Sequence, residues 1–451
     1  MEKERKSEDG FEKFSCGHAI EYLPIASFKP NPKNPRTHSR EQVRQIARSI
    51  KKLGFTNPLL IAADNRIIAG HGRFEAAKLL GMKKLPAIRL EGMTEVQIRA
   101  YILADNKLAL NAGWDEKLLA LEFRYLHELE IDFNLELTGF ETAEIDNLFE
   151  ILGPADEDAA ADAVPEIDPA EPAVSLLGDF WCLGRHRLLC GDATQKESYR
   201  LLMGEQLAQL VITDPPFNVP IGGHVSGLGR IQHAEFAMAS GEMSKDQFIA
   251  FLYSTFVLLV YFSVDGAIHF IFMDWRHLDE ILAAAKGVYP ELKNLIVWNK
   301  TNAGMGTFYR SQHELIFAFK KGDSPHINNF ELGQHGRHRS NVWTYAGANT
   351  FREGRQEELA LHPTVKPVAM IADAILDCSK RGGIVLDPFA GSGTTLIAAE
   401  KTGRKAYAMD ISSKYVDTAI RRWEEFTGEK ATLAETGQTF SEVKEARANG
   451  R

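Results

Sequence analysis

Between residues 18 and 150, short apolar runs such as LLIAA and RIIAG alternate with stretches such as REQVRQIARSIKKLG and MTEVQIRAYILADNKLA. In the latter, apolar residues recur three and four positions apart, so the runs predict strands and the longer stretches amphipathic helices. From residue 176 onward the segments are longer and more apolar. FWCLGRHRLLCGDA alternates like a hairpin, LAQLVI and GAIHFIFM read as buried strands, and FIAFLYSTFVLLVYFSV reads as a core helix. VAMIADAILDCSK and SSKYVDTAIRRWEEFTG carry a helical period. Between the two regions lies PADEDAAADAVPEIDPAEP, rich in Pro, Ala and acids and without a basic group, which predicts a solvated linker over about 151–175. The last residues, 429–451, are polar and predict a loosely held tail.

Composition changes this picture little. With 451 residues, 44% hydrophobic and 25% charged, the chain fits two or three ordinary globular domains. Asp265 and Gly266 interrupt the most apolar stretch, which makes it a poor membrane span, and the charged start MEKERKSEDGFEKF lacks an apolar signal region. A cytoplasmic protein with no membrane partner is the expectation. Cys16, Cys182, Cys190 and Cys378 form no C-x-x-C pair, which predicts neither a metal cage nor a disulfide framework. A net charge of −9 leaves any affinity for phosphates to local patches. One such patch is QHGRHRSNVWTY, with Arg337 and Arg339, followed by Arg352 and Arg355.

Two stretches carry the chemistry. TDPPFNV follows the strand LAQLVI directly, and proline cannot continue a ladder, so Asp214 falls at a strand's carboxyl end, where open α/β sheets bind ligands. VLDPFAGSGTTLIAAEKTG takes a strand to Asp387 and then through a Gly-rich turn into a helix near Thr394. A phosphate loop would need a Lys after its second glycine, and Thr394 and Thr395 stand there instead. The next strand, KAYAMDIS, ends at Asp410, about 20 residues past the glycines, where doubly wound folds place a ribose-binding carboxylate.

Together DPPF, HPTVKP (362–367), DPFAGSGTT and Asp410 resemble the motif set of the amino-methyltransferases of DNA over residues 176–428. The catalytic motif precedes the glycine motif, as in that family's beta group. The resemblance implies an α/β, Rossmann-like, S-adenosylmethionine-dependent fold with permuted motif order, and a target-recognition region over about 220–361. It implies that Asp214, Pro215, Pro216 and Phe217 are catalytic. It places Asp387, Phe389, Ala390, Gly391 and Gly393 along the cofactor, Asp410 on its ribose, Thr364 and Lys366 at its methionine end, and Asp192 nearby. The basic residues Arg337, Arg339, Arg352 and Arg355 are expected to contact double-stranded DNA, with a homodimer suited to a palindromic site. Asp first and an aromatic last in the catalytic motif favour adenine N6 over cytosine N4.

The first half, about 18–110 with a helical extension to 150, resembles the small α+β amino-terminal domain of the ParB and sulfiredoxin-like superfamily. NPR (34–36), NPLL and AGHGRFEAAKLLG carry the resemblance. Relatives there bind nucleotides or DNA through a glycine-glutamate-arginine-arginine box. This chain aligns Gly70, His71 and Arg73 with it, departing in the middle. The alternative function is a DNA-binding, partition or regulatory protein with a secondary methylase half.

Overall fold

The computed structural model describes residues 19–128, 134–151, 161–165, 171–218, 241–301, 308–330, 333, 337–346 and 365–449. Two compact units divide the chain, Met1–Leu152 and Gly153–Arg451.

In the first unit, β1 (Ile20–Pro24), β2 (Leu59–Ile61), β3 (Ile67–Ala69) and β4 (Lys84–Arg89) form a sheet of order β1-β4-β2-β3. Leu59, Ile61, Ile67, Phe74 and Leu85 bury one face of it. Ser39 caps the helix Arg40–Leu53 by accepting from the Gln42 N–H, and Thr94 with Gln97 forms a capping box for Glu95–Leu108. The helices Glu116–Glu128 and Thr142–Ile151 close on a separate small core of Phe123, Leu135, Ile145 and Leu148.

The second unit is built on ten strands among the described residues, in the order β11-β9-β10-β8-β7-β12-β13-β6-β5-β14. These are β5 (Phe180–Leu183), β6 (His186–Cys190), β7 (Ala208–Thr213), β8 (Ser263–Met273), β9 (Glu291–Lys300), β10 (His313–Lys320), β11 (Val342–Tyr345), β12 (Ile384–Asp387), β13 (Lys405–Asp410) and β14 (Thr432–Leu433). The middle five, β8-β7-β12-β13-β6, run parallel; β10 and β5 join them antiparallel on either side, and β11 closes its edge parallel to β9. Parallel strands buried on both faces should read as continuous apolar runs, which explains why LAQLVI and GAIHFIFM show no alternation. The chain leaves β7 toward β8 but leaves β12 toward β13, so β7 and β12 flank the point where the winding reverses. Crevices outside the carboxyl ends of strands at such a point are where doubly wound sheets bind ligands.

Two sequence expectations are corrected. The tail does not hang loose: β14 pairs with β5, the helix Phe440–Asn449 seats Phe440 against Trp181 at 5.5 Å between ring centroids, and Arg447 pairs with Asp179. Phe440 and Val443, two apolar residues amid polar ones, anchor this helix, too sparse a signal for periodicity to register. Nor is the acidic segment a solvated linker throughout. Ala161 is buried and its carbonyl accepts from Arg422, while Asp162 Oδ1 accepts the Val368 N–H at 2.9 Å and Glu171 pairs with Arg421 and Lys444.

Candidate active site

Thr213, the last residue of β7, donates its hydroxyl to Asp387 Oδ1 at 2.8 Å and so ties the ends of the two switch-point strands together. Asp214 follows, and Pro215 and Pro216 end the ladder. Beyond Phe217, Asn218 takes a left-handed conformation (φ 53°) and anchors the turn, accepting from the Gly241 and Met243 N–H groups and donating to the Met243 carbonyl. The DPPF segment is therefore fixed at both ends.

Asp214 terminates a chain of charges. Lys366 Nζ donates to Asp214 Oδ2 at 2.5 Å and lies 3.3 Å from Glu314 Oε2, and Lys300 Nζ contacts Glu314 Oε1 at 2.5 Å. Lys366 is buried, with its ammonium 5.1 Å from the Phe272 ring centroid and 5.8 Å from that of Phe217. Asp214 Oδ1, also buried, has no hydrogen-bond partner among the described residues. Burial pushes the Asp214 carboxyl up; Lys366 opposes this and Glu314 adds to it, leaving it above the usual carboxylate range. Burial also acts upward on Glu314, but Lys366 and Lys300 flank it and hold it down at about 2. Lys366 is raised against its own burial by the two carboxylates.

A cleft of about 200 Å³ runs from this cluster to the carboxyl ends of β12 and β13. Asp214, Pro215, Pro216, Phe217, Glu314 and Lys366 line one end, and Asp387, Phe389, Ala390, Gly391, Asp410 and Tyr415 line the other. Asp387 accepts from Thr213, from the Thr395 hydroxyl at 2.6 Å and from the Phe389 N–H at 3.1 Å. Asp410 accepts from the Gly391 and Ser412 N–H groups at 2.9 and 2.8 Å. Burial raises both carboxyls to about 6 against these hydrogen bonds. Gly391 has φ 50° and open space where a Cβ would stand, so backbone lines the cleft without obstruction. This donor and acceptor set, two carboxylates beside a glycine turn with Phe389, Ile411 and Tyr415 as apolar walls, fits an adenosyl-bearing cofactor.

Other sequence-predicted residues fall differently. Gly393 caps the helix Thr394–Thr402 and does not line the cleft; at φ 83° a Cβ there would lie 2.8 Å from Ala419 Cβ, so its role is close packing of two helices. Asp192 also stands outside the lining, between Gly191 and Ala193, which belong to it, and its carboxylate accepts from the Thr194 N–H and hydroxyl. Lys366 sits at the Asp214 end of the cleft. Arg337 and Arg339 are corrected as DNA contacts: both are largely buried and pair with Asp373 and Asp377 of the helix Val368–Cys378. Thr364, Arg352 and Arg355 lie outside the described residues. Sequence reasoning missed Glu314, a lone acid near the start of β10 that no motif marks.

In the first unit, Gly70 (φ 99°) opens the helix His71–Leu79, as a strand-to-helix turn requires. His71 Nε2 accepts the Asn31 N–H at 3.3 Å, and burial, reinforced by His38, lowers its pKa. Arg73 donates to the Asn57 carbonyl at 2.7 Å.

Residues 208–421, which hold the whole cleft apart from Gly191 and Ala193, match the model of a DNA methylase family. Residues 208–421 form a domain of that family. Ahead of it, residues 11–106 match the ParB N-terminal domain and 117–176 the ParB-methyltransferase HTH domain, which runs through the segment read from sequence as helical extension and linker. Over 78 residues, 17% of this chain, the methylase chain is 50% identical to the ParB-like nuclease domain-containing protein YnaK of Escherichia coli K12, covering 90% of that protein. It is 26% identical over 259 residues, 54% of its length, to the type II methyltransferase M.HpaI of Haemophilus parainfluenzae, covering 76% of it. The solved complex of M1.HpyAVI with S-adenosylmethionine aligns over 50% of this chain and 93% of its own at 19% identity, with a TM-score of 0.37. The family is S-adenosylmethionine-dependent and methylates DNA at exocyclic N6 or N4 amines.

Proposed function

We propose that this methylase transfers the methyl group to N6 of adenine in double-stranded DNA. The observation that carries the reading is Asp214 Oδ1, a buried acceptor at one end of the cleft with nothing donating to it among the described residues. An exocyclic amine is a poor nucleophile because its lone pair is delocalised into the ring. Accepting its two N–H bonds at Asp214 Oδ1 and the Pro215 carbonyl draws the nitrogen toward tetrahedral geometry and frees that lone pair. S-adenosylmethionine supplies the electrophilic methyl when bound: the nitrogen forms the new N–C bond, and the C–S pair leaves with sulfur. The nitrogen then sheds one proton to Asp214, whose raised basicity suits it to the task. Phe217, half-buried on the cleft wall, offers a face for a base taken out of the duplex.

Asp387 and Asp410 hold the adenosyl end, with Asp410 accepting from ribose hydroxyls. Asp and Phe at the two ends of the catalytic motif support adenine. Incubation with labelled S-adenosylmethionine and unmethylated genomic DNA, then nucleoside mass spectrometry, tests the reading. N6-methyladenine is expected; N4-methylcytosine would replace the base assignment, and no methylated base at all would shift the working role to the ParB-like half.

A further inference from the structure

We propose that Lys366 is a positioning residue for Asp214: it holds Oδ2 and so fixes the carboxylate with Oδ1 as the oxygen left without a donor among the described residues, and Glu314, backed by Lys300, holds Lys366 in place. The inference rests on the methyl-transfer reading above and goes beyond it, because the HPTVKP resemblance puts this lysine at the methionine end of the cofactor.

The geometry is that of an open chain, Lys300–Glu314–Lys366–Asp214, with contacts of 2.5, 3.3 and 2.5 Å. Each ion comes from a different element. Lys300 ends β9, Glu314 lies near the start of β10, Lys366 lies two residues before the helix Val368–Cys378, and Asp214 follows β7. A carboxylate that must accept a hydrogen bond along one direction cannot be left to rotate. Pinning one oxygen to a buried ammonium leaves a single orientation for the other. Lys366 is itself confined, since its side chain is 8% exposed and Phe272 and Phe217 stand beside the ammonium. Its two anionic neighbours, Asp214 and Glu314, lie 2.5 and 3.3 Å from the ammonium and compete with any third anion such as an amino-acid carboxylate.

The charges facing Asp214 are Lys366 and Glu314 directly, Lys300 behind them, and Asp387 across the strand ends. Taking away Lys366 removes the cation that favours the ionised form of Asp214, so its titration moves to higher pH. Taking away the Glu314 charge removes a repelling anion, so the titration moves to lower pH.

The test is the pH dependence of single-turnover methyl transfer in the wild-type protein, Lys366→Met and Glu314→Gln, with cofactor affinity measured by calorimetry and Asp214 titrated by 13C carboxyl NMR assigned against Asp214→Asn. The expected result is an acidic limb and a carboxyl midpoint at least about one pH unit higher in Lys366→Met and lower in Glu314→Gln, with cofactor affinity within about twofold of wild type. A tenfold loss of cofactor affinity in Lys366→Met with the midpoint unmoved would overturn the proposal and return Lys366 to the methionine end. If Lys366→Met does not fold, Glu314→Gln decides, and an unshifted midpoint there overturns it. The NMR titration needs no turnover, so absence of DNA methylation in the wild type would sink the functional reading and leave this inference standing or falling on its own.

Discussion

Two buried clusters of the second unit have the same composition, two cations against two carboxylates, and differ in how they close. Arg337 and Arg339 form a ring with Asp373 and Asp377 in which all four carboxylate oxygens accept, at 2.9 to 3.2 Å. Lys300, Lys366, Glu314 and Asp214 form a line that ends in the cleft with Asp214 Oδ1 unpaired among the described residues. Buried ion pairs offset the cost of their own desolvation only when well satisfied. The closed ring spends all its acceptors on holding the approach to β11 against the helix Val368–Cys378. The open line leaves Asp214 Oδ1 without a donor among the described residues, available to a substrate. A cluster's ions alone therefore do not mark a site; an acceptor left over at a cavity does.

Removing the acceptor should have the largest effect. Asp214→Ala is expected to lower methyl transfer by about 10²- to 10⁴-fold, the usual range for a lost proton acceptor, while calorimetry still shows cofactor binding. Transfer at the wild-type rate would erase the distinction between the two clusters. Opening the ring should show in stability instead. Arg339→Met leaves Asp377, 4% exposed in its side chain, short of a cation and should cost about 3–5 kcal/mol in denaturant unfolding. DNA affinity should keep its salt dependence. A stable Arg339→Met protein with weakened DNA binding would restore this arginine to the interface.

The cofactor end adds a pH test. Asp387 and Asp410 both titrate at about 6, raised by burial, so each is ionised at pH 7.5 and becomes protonated as pH falls through 6. A protonated Asp410 accepts poorly from ribose hydroxyls, so cofactor affinity should fall with decreasing pH, by up to about tenfold per pH unit per group below 6. The same shift has the opposite sign for folding: a carboxyl raised above its unfolded value favours the folded state at low pH, and this contribution is lost as pH rises through 6. Asp410→Asn should weaken binding at pH 7.5 and flatten its pH dependence in calorimetry. A wild-type affinity that does not change between pH 7.5 and 5 would remove Asp410 from the cofactor contacts.

Most of the cleft was legible because strand-end motifs report local geometry. A proline pair after an apolar run, or a glycine turn between a strand and a helix, places Asp214, Asp387 and Gly391 with no knowledge of the rest of the chain. Asp410 followed from the spacing of one strand–helix–strand unit. What sequence reasoning misplaced depends on distant partners. Arg337 and Arg339 sit in a basic, aromatic stretch that suits DNA equally well until Asp373 and Asp377, more than thirty residues away, are brought against them. Glu314 is invisible for the same reason, since its meaning comes from Lys366 on another element. The acidic segment misled through composition, because Ala161, Asp162 and Glu171 dock it on partners more than two hundred residues further along the chain.

That docking gives the smallest predicted effect. Helix Val368–Cys378 begins after Pro367, whose side chain cannot cap it, and Asp162 supplies the missing acceptor to the Val368 N–H. Beside it, Arg422 donates to the Ala161 carbonyl and also to the Ser392 carbonyl and the Thr394 hydroxyl of the cofactor turn. Asp162 thus braces the start of the helix that follows Lys366, and Ala161 is linked through Arg422 to the turn that carries Gly391. Losing a cap costs about 1 kcal/mol, a factor of about five in an equilibrium constant. Asp162→Ala should therefore lower thermal stability slightly and weaken cofactor binding by up to about fivefold, with the rate at saturating cofactor unchanged. If calorimetry finds binding untouched while stability falls, the brace serves the fold alone; a fall in the saturated rate would mean that it also sets Lys366 and belongs with the open line of charges.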